Sequence, residues 1–166
     1  MPRASTNSKT SEFTLFALQV RQLAATTLSG IVRCSQRDAT QKLIPHFKNL
    51  LLSTPLPVRN KRDRSSPKEA LPEGYSDALV TRHAGVLGLS SLLEAFPYEV
   101  PMWMPEVMVF LSKYFSDPPP VSTTVKKVFG DFKRTHQDTW HEDQKQFSLD
   151  ELEVLSDMLI SPSYYA

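Results

Sequence analysis

The sequence predicts an all-α protein built of stacked helical hairpins. Three observations lead there. Apolar residues recur at spacings of three and four over most of the chain, and no segment alternates convincingly in the manner of a strand. Thirteen prolines stand against five glycines, a balance that supplies rigid stops between long segments rather than tight turns of the Asn-Gly kind.

Each helix has its own signal. From Phe13 to Val32, the residues Phe13, Phe16, Ala17, Val20, Leu23, Ala24, Thr27, Leu28 and Ile31 form one predicted apolar face. A second helix starts near Asp38, whose carboxylate can cap free amides, and runs through Leu43, Phe47, Leu50 and Leu51, with Pro45 implying a kink or a later start. Residues 53–75 hold Pro55, Pro57, Pro67 and Pro72 and read as a basic loop. A third helix covers Ser76 to about Ala95, with Leu79, Val80, His83, Val86, Leu87, Ser90 and Leu93 on one side. Pro105 suits the first turn of a fourth helix reaching Phe115, because its missing N–H would have no partner there anyway. Asp117-Pro118-Pro119-Pro120 stops it, and a fifth runs from Val121 to about His136. The sixth has the clearest start, Ser148-Leu149-Asp150-Glu151, a reciprocal capping box, followed by Leu152, Leu155, Met158 and Leu159. Pro162 then forces Ser161 into an extended conformation and ends the helix after Ile160.

Bulk composition excludes several functional classes. Nineteen Lys and Arg nearly balance eighteen Asp and Glu, so a net charge of +1 gives no global attraction to nucleic acid or an anionic membrane. No apolar run approaches the roughly 20 residues of a membrane helix. The single cysteine, Cys34, cannot pair internally, which suits a reducing compartment. The start of the chain lacks the long apolar stretch of a secretory signal.

Catalysis finds little support. His136 and His141, near Glu142 and Asp143, lack the spacing of a helical zinc pair and read as a solvated helix end. His83 lies in an apolar helix and reads as a packed, hydrogen-bonded histidine, and Cys34 has no neighbour that marks a nucleophile. Gly85 and Gly88 sit inside a helix with no preceding strand, so they predict close packing rather than a phosphate loop. Trp103, Trp140 and the phenylalanines fall at helical spacing and read as core.

Two helices open alike, Val20-Arg21-x-x-Ala24-Ala25-x-x-Leu28 and Asp117-Pro118-x-x-Val121-x-x-x-Val125-Lys126-Lys127. Both look like inner helices of HEAT repeats, hairpins of roughly 40–47 residues that stack into a superhelix. Each such hairpin leaves an apolar face that a neighbour must cover, so about three of them predict a marginal unit of a longer array.

Five strings carry a more specific resemblance: Arg21-Gln22-Leu23-Ala24-Ala25-Thr26-Thr27-Leu28-Ser29-Gly30, Arg82-His83-Ala84-Gly85-Val86-Leu87-Gly88-Leu89, Val125-Lys126-Lys127, Arg134-Thr135-His136 and Ser161-Pro162-Ser163-Tyr164-Tyr165-Ala166. They resemble the C-terminal end of the large HEAT-repeat proteasome activators. The resemblance spans about Val20 to Ala166 and divides the chain into a divergent segment 1–19, helical repeats 20–160 with the basic loop at 53–75, and a tail 161–166.

The family ends in a hydrophobic-Tyr-any residue motif that docks between outer-ring subunits of the proteasome core. The resemblance therefore implies proteasome binding by Tyr164, Tyr165 and Ala166 and gate opening for degradation independent of ATP and ubiquitin, acetylated histones included. The chemistry suits it: a free carboxylate, a phenol that hydrogen-bonds and a preceding ring give three adjacent anchors. It implies a protein of nucleus and cytoplasm, linked to DNA damage, DNA repair and spermatogenesis, with no catalysis of its own. No cofactor is implied here, since the family's inositol-phosphate sites lie elsewhere in its dome.

The family also reads acetyl-lysine on histones through an Asn-Phe pair after the Leu-Ser-Gly helix. The matching positions here are Ser35 and Gln36; Gln36 supplies an amide, but no aromatic residue follows it. The alternative function is thus an acetyl-histone or chromatin-binding module without gate opening. Arg59, Lys61, Arg62 and Arg64 match a short nuclear localisation pattern, interrupted by Asp63, and equally a solvated loop.

Overall fold

A computed structural model describes residues 6–35, 37–56 and 74–159, without the side chains of 6–16, 37–39 and 157. Among the described residues there are seven α-helices, one 3₁₀ turn and no strand. The helices are α1 (Thr6–Cys34), α2 (Arg37–Leu52), α3 (Tyr75–Glu94), α4 (Met104–Ser112), α5 (Val121–Thr135), α6 (Trp140–Asp143) and α7 (Leu149–Leu159), with the 3₁₀ turn at Gln144–Gln146. The all-α expectation holds, and α6 is the helix that sequence spacing did not predict.

Helices α1, α3 and α5 pack side by side in one row. Against it lie α2 and α4, both on α3, and α7, which packs on α4 and α5. Two layers of helices stacked in this way form a piece of an α-solenoid. The centre is α3, which is buried from Gly85 to Leu93 on every side and not along one stripe. An all-round apolar surface is what a helix flanked on both sides and underneath must carry.

Local chemistry explains how α3 sits. Its N-cap, Gly74, has φ 76°, a left-handed conformation that glycine adopts without steric cost. Gly85 and Gly88 let α2 approach closely. A Cβ added to Gly85 would stand 2.7 Å from Leu51 Cγ, and one on Gly88 would stand 2.6 Å from Phe47 Cγ, inside the ring. The close-packing expectation for this pair is met. Helix α2 continues through Pro45, whose side is exposed, and is not cut short by it.

Two expectations about burial are corrected. Of the predicted α1 face, Val20 is 50%, Leu23 68% and Ile31 58% exposed, and Ala24 and Thr27 are exposed too. The face turned inward carries Ala25, Ser29 and Val32 beside Leu28, which the predicted face did include. Phe13 and Phe16 lie outside the described side chains. The other correction concerns His136, predicted to be solvated at a helix end. It is buried, stacked on Phe132 with ring centroids 4.1 Å apart, and its Nδ1 donates to the Phe132 carbonyl at 3.0 Å. His141 is exposed, as expected.

Candidate functional site

The root of the C-terminal tail is α7. Ser148 N–H donates to Glu151 Oε2 at 2.8 Å, and Glu151 N–H donates back to Ser148 Oγ at 3.3 Å, so the predicted capping box is formed. Leu155 and Leu159 are buried in the common core, and Phe147 packs just ahead of the helix against Phe132 and Trp140. Tyr164, Tyr165 and Ala166 lie outside the described residues, as do Arg59, Lys61, Arg62 and Arg64 of the basic loop.

Ser35 is exposed at the end of α1, its hydroxyl donating to the Ile31 carbonyl at 2.7 Å, while Gln36 lies outside the described residues. Ser35 borders an open pocket of about 410 Å³ whose walls include Val32, Arg33, Phe96, Tyr98 and Glu99. Tyr98 is 79% exposed. Arg33 fixes one wall by donating from Nε to the Ala95 carbonyl at 3.4 Å and from its NH2 nitrogen to the Glu94 carbonyl at 3.3 Å. A cation on the last carbonyls of α3 complements the negative end of that helix. Aromatic rings thus reach the neighbourhood of Ser35 from about 60 residues further along the chain. The local sequence after Cys34 gave no sign of them; the aromatic-proline run Phe96-Pro97-Tyr98 between two helices was the one available signal.

Two polar clusters fix the helices around these features. Arg82 on α3 pairs with Asp117 at 2.5 Å, donates to the Thr54 carbonyl at 3.1 Å and lies 4.7 Å from the centre of the Tyr114 ring. It thereby ties α3 to the end of α2 and to the α4–α5 turn. Burial pushes the Tyr114 phenol above its ordinary range, with Arg82 opposing and Asp117 adding to the shift. His83, one residue on, is fully buried, and burial followed by the Arg21 charge lowers its pKa from 6.5 to about 4. A neutral imidazole in the core is a packing and hydrogen-bonding group, as the sequence predicted.

Among the described residues no group of three or more His, Cys, Asp or Glu side chains is placed to hold a metal ion, and no helix is long and apolar enough to cross a membrane. Cys34 is free and exposed.

Residues 79–166 match the family profile described as "Proteasome activator complex subunit 4-like, C-terminal". Over 149 residues, 90% of this chain, the sequence is 46% identical to Proteasome activator complex subunit 4 of Homo sapiens and 30% identical to Proteasome activator subunit 4 of Arabidopsis thaliana. Over 152 residues it is 36% identical to Proteasome activator BLM10 of Saccharomyces cerevisiae. The chain spans 8% of the length of the human and Arabidopsis proteins and 6% of the yeast protein. With a profile covering more than half of its residues and relatives this similar along nine-tenths of it, the chain belongs to the proteasome activator complex subunit 4 family and corresponds to its C-terminal part.

Proposed function

We propose that the chain acts as the C-terminal element of a proteasome activator, docking Tyr164, Tyr165 and the Ala166 carboxylate into the outer ring of the proteasome core and promoting gate opening. The observation that carries the reading is the match along 90% of the chain to relatives named proteasome activators in animals, plants and yeast. The tail chemistry supports it. A carboxylate meeting a pocket lysine away from water gives a charge-assisted contact, and the phenol of Tyr165 adds a directional hydrogen bond. Binding energy that favours the open ring shifts the gate equilibrium. The role is regulatory, without catalytic step or cofactor. Acetylated histones as substrates, and action in nucleus and cytoplasm, belong to the same proposal.

The test is stimulation of peptide hydrolysis by purified core particle. The intact chain raises the rate, and Tyr165→Ala removes the effect; equal stimulation by the variant refutes tail docking.

A second reading, recognition of an acetylated lysine, is favoured by one observation: Phe96 and Tyr98 stand beside the pocket that Ser35 borders. They supply rings that the sequence after Gln36 lacks. Titration with acetylated and unmodified histone-tail peptides decides it, and equal affinity for the two rejects it.

A further inference from the structure

The outer face of α5 is basic. Lys126, Lys127, Gly130 and Arg134 are exposed and Lys133 is half-buried. At 3.6 residues per turn the five fall within about 120° of arc, on the side of the helix away from the buried Val125 and Phe132. The two pairs of cations are about 10 Å apart along the axis, at 1.5 Å per residue. Between them Gly130 leaves the backbone bare, since a Cβ added there would meet nothing within 4 Å. The face is a saddle, with charge on both shoulders and a low centre.

Local structure accounts for only part of this charge. Lys127 Nζ stands 3.0 Å from Glu94 and 3.1 Å from Asp131, and Arg134 stands 2.9 Å from Asp131, so four cations share two carboxylates. Lys126 lies over the Phe115 ring, its Nζ 5.1 Å from the centre, and Lys133 has no ion pair or hydrogen bond among the described residues. Lys133 and Arg134 occupy the last turn, where cations complement the negative end of the helix; Lys126 and Lys127 lie in mid-helix, where that reason is absent. The whole chain carries only +1, so the excess is a local feature and not a share of general basicity.

The geometry selects among anions. Charges on two shoulders about 10 Å apart do not converge on one phosphate group. The rings that α5 carries, Phe129 and Phe132, are buried, and Phe115 lies under Lys126, so a nucleic-acid strand has no aromatic platform here. An acidic peptide fits. Charged segments that form no core are extended, and in polyproline II geometry residues three apart lie on one side, about 9 Å from each other. Carboxylates at that spacing reach both shoulders while the peptide backbone crosses Gly130.

We infer that the Lys126–Arg134 face of α5 is a docking site for an extended acidic segment of a partner protein. The site is separate from the tail and does not depend on it.

The probe is a fluorescein-labelled peptide of about 12 residues with Glu at every third position and Ser between. Its anisotropy is titrated with the full chain at about 50 mM salt, where exposed charges are weakly screened. The parent binds it, and Lys126→Glu with Lys133→Glu weakens binding at least tenfold. Lys42→Glu with Lys145→Glu makes the same change in net charge on exposed residues of other elements and leaves binding within twofold of the parent. Gly130→Leu keeps every charge, fills space that nothing occupies in the fold, and weakens binding at least threefold by standing in the path of the peptide. No binding by the parent, equal losses in the two double variants, or unchanged binding by Gly130→Leu overturns the inference. Oligothymidylate or inositol hexakisphosphate held more tightly than the peptide assigns the face to phosphates and overturns it as well.

Discussion

Nε2 of His83 on α3 stands 2.9 Å from the hydroxyl of Thr124 on α5. That hydroxyl donates to the Pro120 carbonyl at 3.1 Å, so its oxygen accepts from the imidazole N–H and the ring, kept neutral by burial, carries its proton on Nε2. One buried histidine therefore links two helices of the row through a fixed tautomer.

Stability depends on pH through this residue. The folded pKa of about 4 lies below the ordinary 6.5, so the neutral ring contributes fully above pH 6.5. As pH falls from 6.5 to about 4 the unfolded chain binds a proton that the folded chain does not, and stability falls; below about 4 this residue adds no further loss. Urea midpoints at pH 7 and pH 5 measure the slope, and His83→Asn flattens it.

The α2–α3 contact is sensitive to a single methyl group. Gly88→Ala drives a Cβ into the Phe47 ring and destabilises the fold by about 1–3 kcal/mol. Gly130→Ala, on the open side of α5, stabilises it by about 0.5–1 kcal/mol, because alanine fits the helix and restricts the unfolded chain. Denaturant unfolding of the two variants gives opposite signs.

The start of α7 rests on its capping box. Ser148→Ala removes the side-chain acceptor for the Glu151 amide and costs about 1 kcal/mol. For a chain of this size that lowers the Tm by about 2–4 °C. Thermal melts of Ser148→Ala and Ser148→Asp separate capping from other effects, since aspartate restores an acceptor.

What the sequence revealed and what it hid follow from the range of the interactions. The α7 capping box and the small residues of α3 are local or one-helix features, and both were legible. Helix α1 is apolar on two sides, Val20-Leu23-Ile31 and Ala25-Leu28-Val32. Spacing alone does not say which side a neighbour within the chain will cover. The side that carries Val20, Leu23 and Ile31 is the one left exposed. His136 sits four residues after Phe132, the spacing at which rings stack on a helix, so its burial had a signal that its place at a helix end masked. The pocket beside Ser35 had no local signal, because its rings come from the connection between α3 and α4, where the run Phe96-Pro97-Tyr98 was the only hint. The tail's resemblance was specific, and its residues lie beyond the described part of the fold.

The central claim, that this chain grips the proteasome core by its last residues, is tested most directly by a pull-down. Purified core particle is passed over the immobilised full chain and over the same chain lacking Ala166. The account predicts retention by the first and loss by the second. Equal retention by both, or retention by neither, contradicts it.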